Sequence, residues 1–178
     1  MLDTETKRRI DTARDILVGK VPDPKSQVEQ ITIALIYKFM DDMDKESISY
    51  GGMPSYFVGD LTSNSFTRLF DHNIGGKLRY DLYEEGLKKL AIHPSNDFPS
   101  FFRKIFDGAK VPYSDIETLT LFLKCIGDFK YDHSEMLGDA FEYLLSILGS
   151  QGDAGQFRTP RHIIDFIVEI LDPKKGET

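Results

Sequence analysis

Apolar residues recur at three- and four-residue intervals along most of this chain, which is the spacing that gives a helix one buried face. Ile10, Ala13, Ile16 and Leu17 predict an amphipathic helix over residues 4–19, with Asp3 or Thr4 as N-cap. Val21-Pro-Asp-Pro24 predicts a turn that places Pro24 at the first position of a second helix, about 25–45. Val28, Ile31, Leu35, Phe39 and Met43 give that helix a broad apolar face and a central place in the core. From Glu46 to Thr67 the periodicity breaks at Gly51, Gly52, Pro54, Gly59 and Asn64, so an irregular connection rich in Tyr and Phe is expected. A connection of that length belongs in a compact domain only if it packs down or carries function.

A short apolar turn around Phe66–Phe70 leads through His72-Asn73-Ile74-Gly75-Gly76 into a helix over 77–91, with Leu78, Leu82, Leu87 and Leu90 expected on its inner side. Pro99 opens a helix carrying Phe101, Phe102, Ile105 and Phe106; another runs from Asp115 to Ile126, and Gly127 to His133 reads as a turn. Ser134 can cap a helix in which Leu137, Phe141, Leu144, Leu145 and Leu148 share one face and Gly149 ends it. Thr159-Pro160 supplies an N-cap and a first-position proline for the last helix, where Ile163, Phe166, Ile167 and Ile170 are expected to face inward before Pro173 stops it. Strand alternation and Asn-Gly or Asp-Gly hairpin signals are missing. The expected fold class is therefore all-α in the main.

Charge narrows the functional classes. The net charge of −7 is concentrated in two blocks, −4 over residues 41–60 and −5 over 111–150, while residues 61–110 carry +2. A free-standing nucleic-acid clamp, built from clustered Lys and Arg, does not fit that balance. The longest apolar run, Ile31 to Met40, is interrupted by Thr32 and Lys38 and falls short of the roughly 20 residues of a membrane span. Asp3, Glu5, Lys7, Arg8 and Arg9 leave no apolar core for a signal peptide, so a cytoplasmic location is expected.

Most candidate chemistry reads as structure. His72, His93, His133 and His162 form no metal-ligand pair, so no metal is expected. The single cysteine, Cys125, lies beside Phe122 and Ile126 and reads as core packing. Asp41-Asp42-Asp44-Glu46 and Asp128-Asp132-Glu135 lack the ligand pattern of an EF-hand and read as solvated helix ends and turns. Gly149, Gly152 and Gly155 follow a helix and match no phosphate-binding pattern, leaving a flexible connector. Signals for a catalytic residue are absent.

The run Gly155-Gln156-Phe157-Arg158-Thr159-Pro160-Arg161 is different in kind, a glycine-loosened loop that stiffens into a capped helix start. Unpaired backbone N–H groups and the positive end of the helix dipole make such a terminus attractive to carboxylates and phosphates. A plain Thr-Pro cap explains the same residues taken alone.

Together with Leu137-Gly-Asp-Ala-Phe-Glu-Tyr-Leu-Leu145 before it and the apolar helix ending in Leu171-Asp-Pro173 after it, this run resembles the methyltransferase (M) subunit of type I restriction-modification systems. The family pattern is a Gly-Asp/Glu-x-Tyr/Phe-Glu helix, then Gly-Gln-Phe/Tyr-x-Thr-Pro-Arg, then the start of an S-adenosylmethionine-binding fold. Residues 4–130 match only loosely, as a helical N-terminal domain.

The resemblance implies that Gln156, Phe157, Arg158, Thr159, Pro160 and Arg161 contribute to an S-adenosyl-L-methionine site. It also implies an organisation of a helical bundle domain over 1–133, followed by a helical connector over 134–178 that leads into an α/β methyltransferase sheet. The family's Asp-Pro-x-x-Gly-Thr turn and Asn-Pro-Pro-Phe/Tyr motif are not in the 178 residues, so the chain is expected to be an N-terminal portion without activity alone. The implied reaction of the whole protein is methyl transfer to adenine N6 in DNA. The implied partners are a specificity subunit, a restriction subunit, a second M subunit and DNA in the assembled complex, with no membrane. An all-α adaptor that binds proteins through its Tyr- and Phe-rich 46–70 stretch is the alternative.

Overall fold

The computed structural model describes residues 3–93, 100–130, 134–150, 159 and 161–174. The chain divides into two compact units, Met1–Leu144 and Leu145–Thr178. The described residues are all-α, with an isolated Val18–Val21 bridge in place of any strand.

The helices of the first unit start where the capping chemistry places them. Helix α1 (Thr4–Leu17) begins at Asp3, whose carboxylate accepts the Thr6 N–H at 2.7 Å. Helix α2 (Pro24–Ser49) begins at Asp23, which accepts the Ser26 N–H at 2.9 Å, with Pro24 in the first turn. Helix α3 (Gly76–Ala91) starts from Gly75 and α4 spans Ser100–Phe106. Helix α5 (Ile116–Gly127) begins at Asp115, whose carboxylate accepts from the backbone of Glu117 and Thr118 and pairs with Lys20 at 2.6 Å. Helix α6 (Ser134–Ser150) reaches the end of the first unit at Leu144.

The three capping aspartates make acid sensitivity a property of the helix starts. Thr6 lowers the Asp3 carboxyl, Ser26 lowers that of Asp23, and Lys20 followed by Thr118 lowers that of Asp115. A carboxyl depressed in the folded state stabilises the fold fully above its unfolded value of about 3.9, and that contribution is lost progressively as pH falls from there through the lower folded-state value. Asparagine caps helices without titrating. Replacing Asp3, Asp23 and Asp115 together by Asn should therefore flatten the loss of stability below about pH 4. Urea midpoints measured from pH 7 down to 3 check this, and parallel curves for the parent and the variant would count against it.

Helix α2 lies at the centre. Its Ile31, Ala34, Leu35, Tyr37 and Met40 are at most 1% exposed. Helix α1 packs on α2 and α5, α5 also packs on α2, and α3 packs on α4 and α5. The inner side of α3 is the expected one at Leu87 and Leu90 and departs from it in the first half of the helix. Tyr83, Gly86, Leu87 and Leu90 are buried, whereas Leu78, expected inside, is 49% exposed.

Helix α2 runs through Glu46 to Ser49, where the sequence pattern predicts irregular chain. Beyond it the connection packs down as two 3-10 turns, Gly59–Asn64 and Arg68–Phe70. Phe57, Leu61, Phe66 and Leu69 are buried, while Tyr50 and Met53 at the turn after α2 are over 80% exposed.

The carboxylates expected at a solvated helix end hold this connection in place. Asp41 and Asp44 are 4% and 5% exposed. Asp44 accepts the backbone N–H groups of Ser55, Tyr56 and Phe57 at 2.6, 3.0 and 2.7 Å. Asp41 accepts the Thr67 N–H and hydroxyl at 3.0 and 2.6 Å and pairs with Lys45 at 2.9 Å. The physical reason is that irregular backbone carries N–H groups with no ladder to join, and a buried carboxylate satisfies several at once. Asn64, fully buried, completes the attachment. Its carbonyl accepts the Tyr37 hydroxyl from α2, and its amide donates to the Leu82 carbonyl of α3 at 2.8 Å.

In the second unit, helix α7 spans Arg161–Leu171. The residues expected to face inward do not: Ile163, Phe166, Ile167 and Ile170 are 40%, 61%, 46% and 65% exposed. The spacing marks an amphipathic helix, and these four residues form its apolar side.

Candidate functional site

The sequence places the candidate cofactor segment between α6 and α7. Gln156, Phe157, Arg158 and Pro160 lie outside the described residues. Thr159 is exposed and non-helical, and Arg161 is the first residue of α7. The transition from loop to helix expected at Thr159-Pro160 thus falls where α7 begins. An 11-residue helix presents unpaired N–H groups and the positive end of its dipole at that point.

The other linked motif, Leu137 to Leu145, lies within α6 and its first part is anchored in the helical unit. Leu137, Ala140 and Leu144 are 9%, 0% and 1% exposed. They repeat at three- and four-residue spacing, which makes one stripe of the helix apolar. Phe141, expected on that stripe, is only half-buried, and Leu145 is 50% exposed. Tyr143 sits beside the stripe. Its hydroxyl donates to Asp11 of α1 at 2.9 Å, and the Lys7 ammonium stands 5.7 Å from its ring centre. Burial first, and then the bond to Asp11, push the Tyr143 hydroxyl pKa upward, so it stays a donor. This link was not legible in the sequence, because the two residues are 132 positions apart.

Removing the Tyr143 hydroxyl as Tyr143→Phe should cost about 1 kcal/mol, a typical net hydrogen bond, while keeping the ring and its cation contact. Asp11→Asn, which retains an acceptor, should cost less. Urea unfolding of the two variants checks the order, and equal stability of Tyr143→Phe and the parent would contradict the role given to the hydroxyl.

Elsewhere in the first unit the candidate chemistry is structural. No group of three or more His, Cys, Asp or Glu side chains able to hold a metal ion occurs among the described residues. His93 is 2% exposed with its Nε2 2.8 Å from the Tyr56 carbonyl oxygen, so it ties α3's end to the 50–70 connection. His72 and His162 are exposed, and His133 lies outside the described residues. Cys125 is half-buried rather than in the core, with its Sγ 3.4 Å from the Arg9 carbonyl oxygen, and burial raises its thiol pKa. A thiol raised in this way is a poor nucleophile at neutral pH.

Arg79 is likewise committed to structure. It donates to the Leu69 carbonyl at 2.7 Å and to the Thr120 hydroxyl at 3.3 Å, and its guanidinium lies 5.1 Å from the Phe70 ring centre. No described helix is long and apolar enough to cross a membrane.

Comparison with known proteins puts the family signal where the two motifs are. Residues 132–178 match the N-6 DNA Methylase family model. A stretch of 43 residues is 46% identical to the type I restriction enzyme EcoEI methylase subunit of Escherichia coli, covering 24% of this chain and 9% of that protein. The match thus spans a small part of the relative's length. No solved structure matches the chain. The family signal therefore lies over residues 132–178, which contain the two linked motifs and match the N-6 DNA Methylase family model, and a 43-residue stretch of the chain is similar to the methylase subunit of a type I restriction enzyme.

Proposed function

We propose that this chain is the N-terminal part of a type I restriction-modification methyltransferase subunit, whose complete form methylates adenine N6 in DNA. The observation that carries the reading is the match over 132–178, which contains both the α6 motif and the Gln156–Arg161 motif in family order. In the functional division the helical domain covers 1–133 and the connector 134–178, a boundary set by the motifs.

In this reading Gln156, Phe157, Arg158, Thr159, Pro160 and Arg161 form one wall of an S-adenosyl-L-methionine site. The donors present fit that group: an amide, a hydroxyl, guanidinium groups and a helix N-terminus suit a carboxylate. The bound group supplies an electrophilic methyl. This chain's residues bind and orient; the adenine-holding residues belong to a longer protein. Flipping the target base out of the duplex brings its exocyclic nitrogen within reach, and alignment supplies much of the rate.

Helix α7 is the last element of the connector in this proposal, and its apolar side packs on the sheet of the α/β domain that follows. The acidic helical domain closes over DNA and docks on neighbouring subunits rather than reading bases. Its partners are a specificity subunit, a restriction subunit and a second methyltransferase subunit in a cytoplasmic complex.

Calorimetry with S-adenosylmethionine on the longer subunit carrying this chain tests the site. Thr159→Ala removes the cap and Phe157→Ala removes the aromatic wall. Each is expected to weaken binding about tenfold, the equivalent of roughly 1.4 kcal/mol. Unchanged affinity in both variants would overturn the assignment. The 178 residues alone are expected to bind the cofactor weakly or undetectably, and a micromolar affinity would contradict that.

A further inference from the structure

We draw no further inference here: the strongest candidate, the apolar groove of about 490 Å³ between the end of α2 and the 53–68 stretch, lined by Ile48, Met53, Phe57 and Val58 beneath Lys45 and Arg68, has rim cations already ion-paired to Asp41, Asp42 and Asp71, and nothing in the structure shows what covers it.

Discussion

Replacing Asp44 by alanine is expected to destabilise the helical unit by about 3 kcal/mol, because it removes a charged acceptor shared by three backbone N–H groups, that of Phe57 buried. Asp44 is 5% exposed, and the N–H groups of Ser55, Tyr56 and Phe57 converge on its two oxygens. Hydrogen bonds to a charged acceptor are worth more than neutral ones, and a buried donor left without a partner loses its full solvation. The loss should be local before it is global. Amide exchange at residues 53–58 should accelerate under conditions where the amides of central α2 remain protected.

Asp44→Asn keeps one acceptor oxygen but turns an amide NH₂ toward the remaining donors, so its cost should fall between the parent and Asp44→Ala. Urea unfolding gives the ranking. A midpoint for Asp44→Ala equal to that of the parent would show that the connection does not depend on this carboxylate.

Gly86→Ala should be the second large effect, and its sign runs against helix propensity. In an exposed helix interior the change stabilises by about 1 kcal/mol. Here Gly86 faces Tyr37. A Cβ would sit 3.0 Å from the Tyr37 Cζ, nearer still to its hydroxyl oxygen, and 3.2 Å from the Asn64 Cβ. Tyr37 is fully buried, and its hydroxyl is committed to the Asn64 carbonyl, so the ring has no free direction to move. Overpacking of this kind costs about 3 kcal/mol, which leaves a net loss of about 2 kcal/mol.

For a chain of this size that corresponds to a fall of roughly 6 °C in Tm. The companion variant carrying Tyr37→Phe as well removes the offending oxygen. It should recover part of the loss caused by Gly86→Ala, when measured against Tyr37→Phe alone. Additive effects of the two substitutions would show that the clash is not where the geometry puts it.

These two sites explain why the 50–70 stretch could not be read from its own residues. Its composition suggested either a functional loop or a packed one. The decision rests on Asp41, Asp44 and Tyr37, all on α2, and on Gly86 and Leu82 of α3. One local signal was present: Asp41 and Asp44 follow Tyr37 at four and seven residues, so they continue the buried face of α2. Carboxylates on a core stripe are buried only when something satisfies them. With the phenylalanines of the stretch largely committed to the core, the surface it offers an adaptor-type partner shrinks to exposed positions such as Ile48, Tyr50 and Met53.

The sequence by itself determined the helical class, the starts of α1, α2 and α5, and the linked motifs at 137–145 and 155–161. All of these depend on interactions within a few residues: a capping carboxylate, a first-turn proline, a 3.6-residue stripe. Tertiary structure alone decided that Tyr83 and Gly86 rather than Leu78 line the inner side of α3, which backbone groups satisfy Asp41 and Asp44, and that Tyr143 meets Asp11. Each of those depends on residues distant in the chain, and local periodicity contains no term for what the partner surface offers. The apolar side of α7 shows the same division: its spacing marks a face built for burial, and only a packed neighbour can bury it.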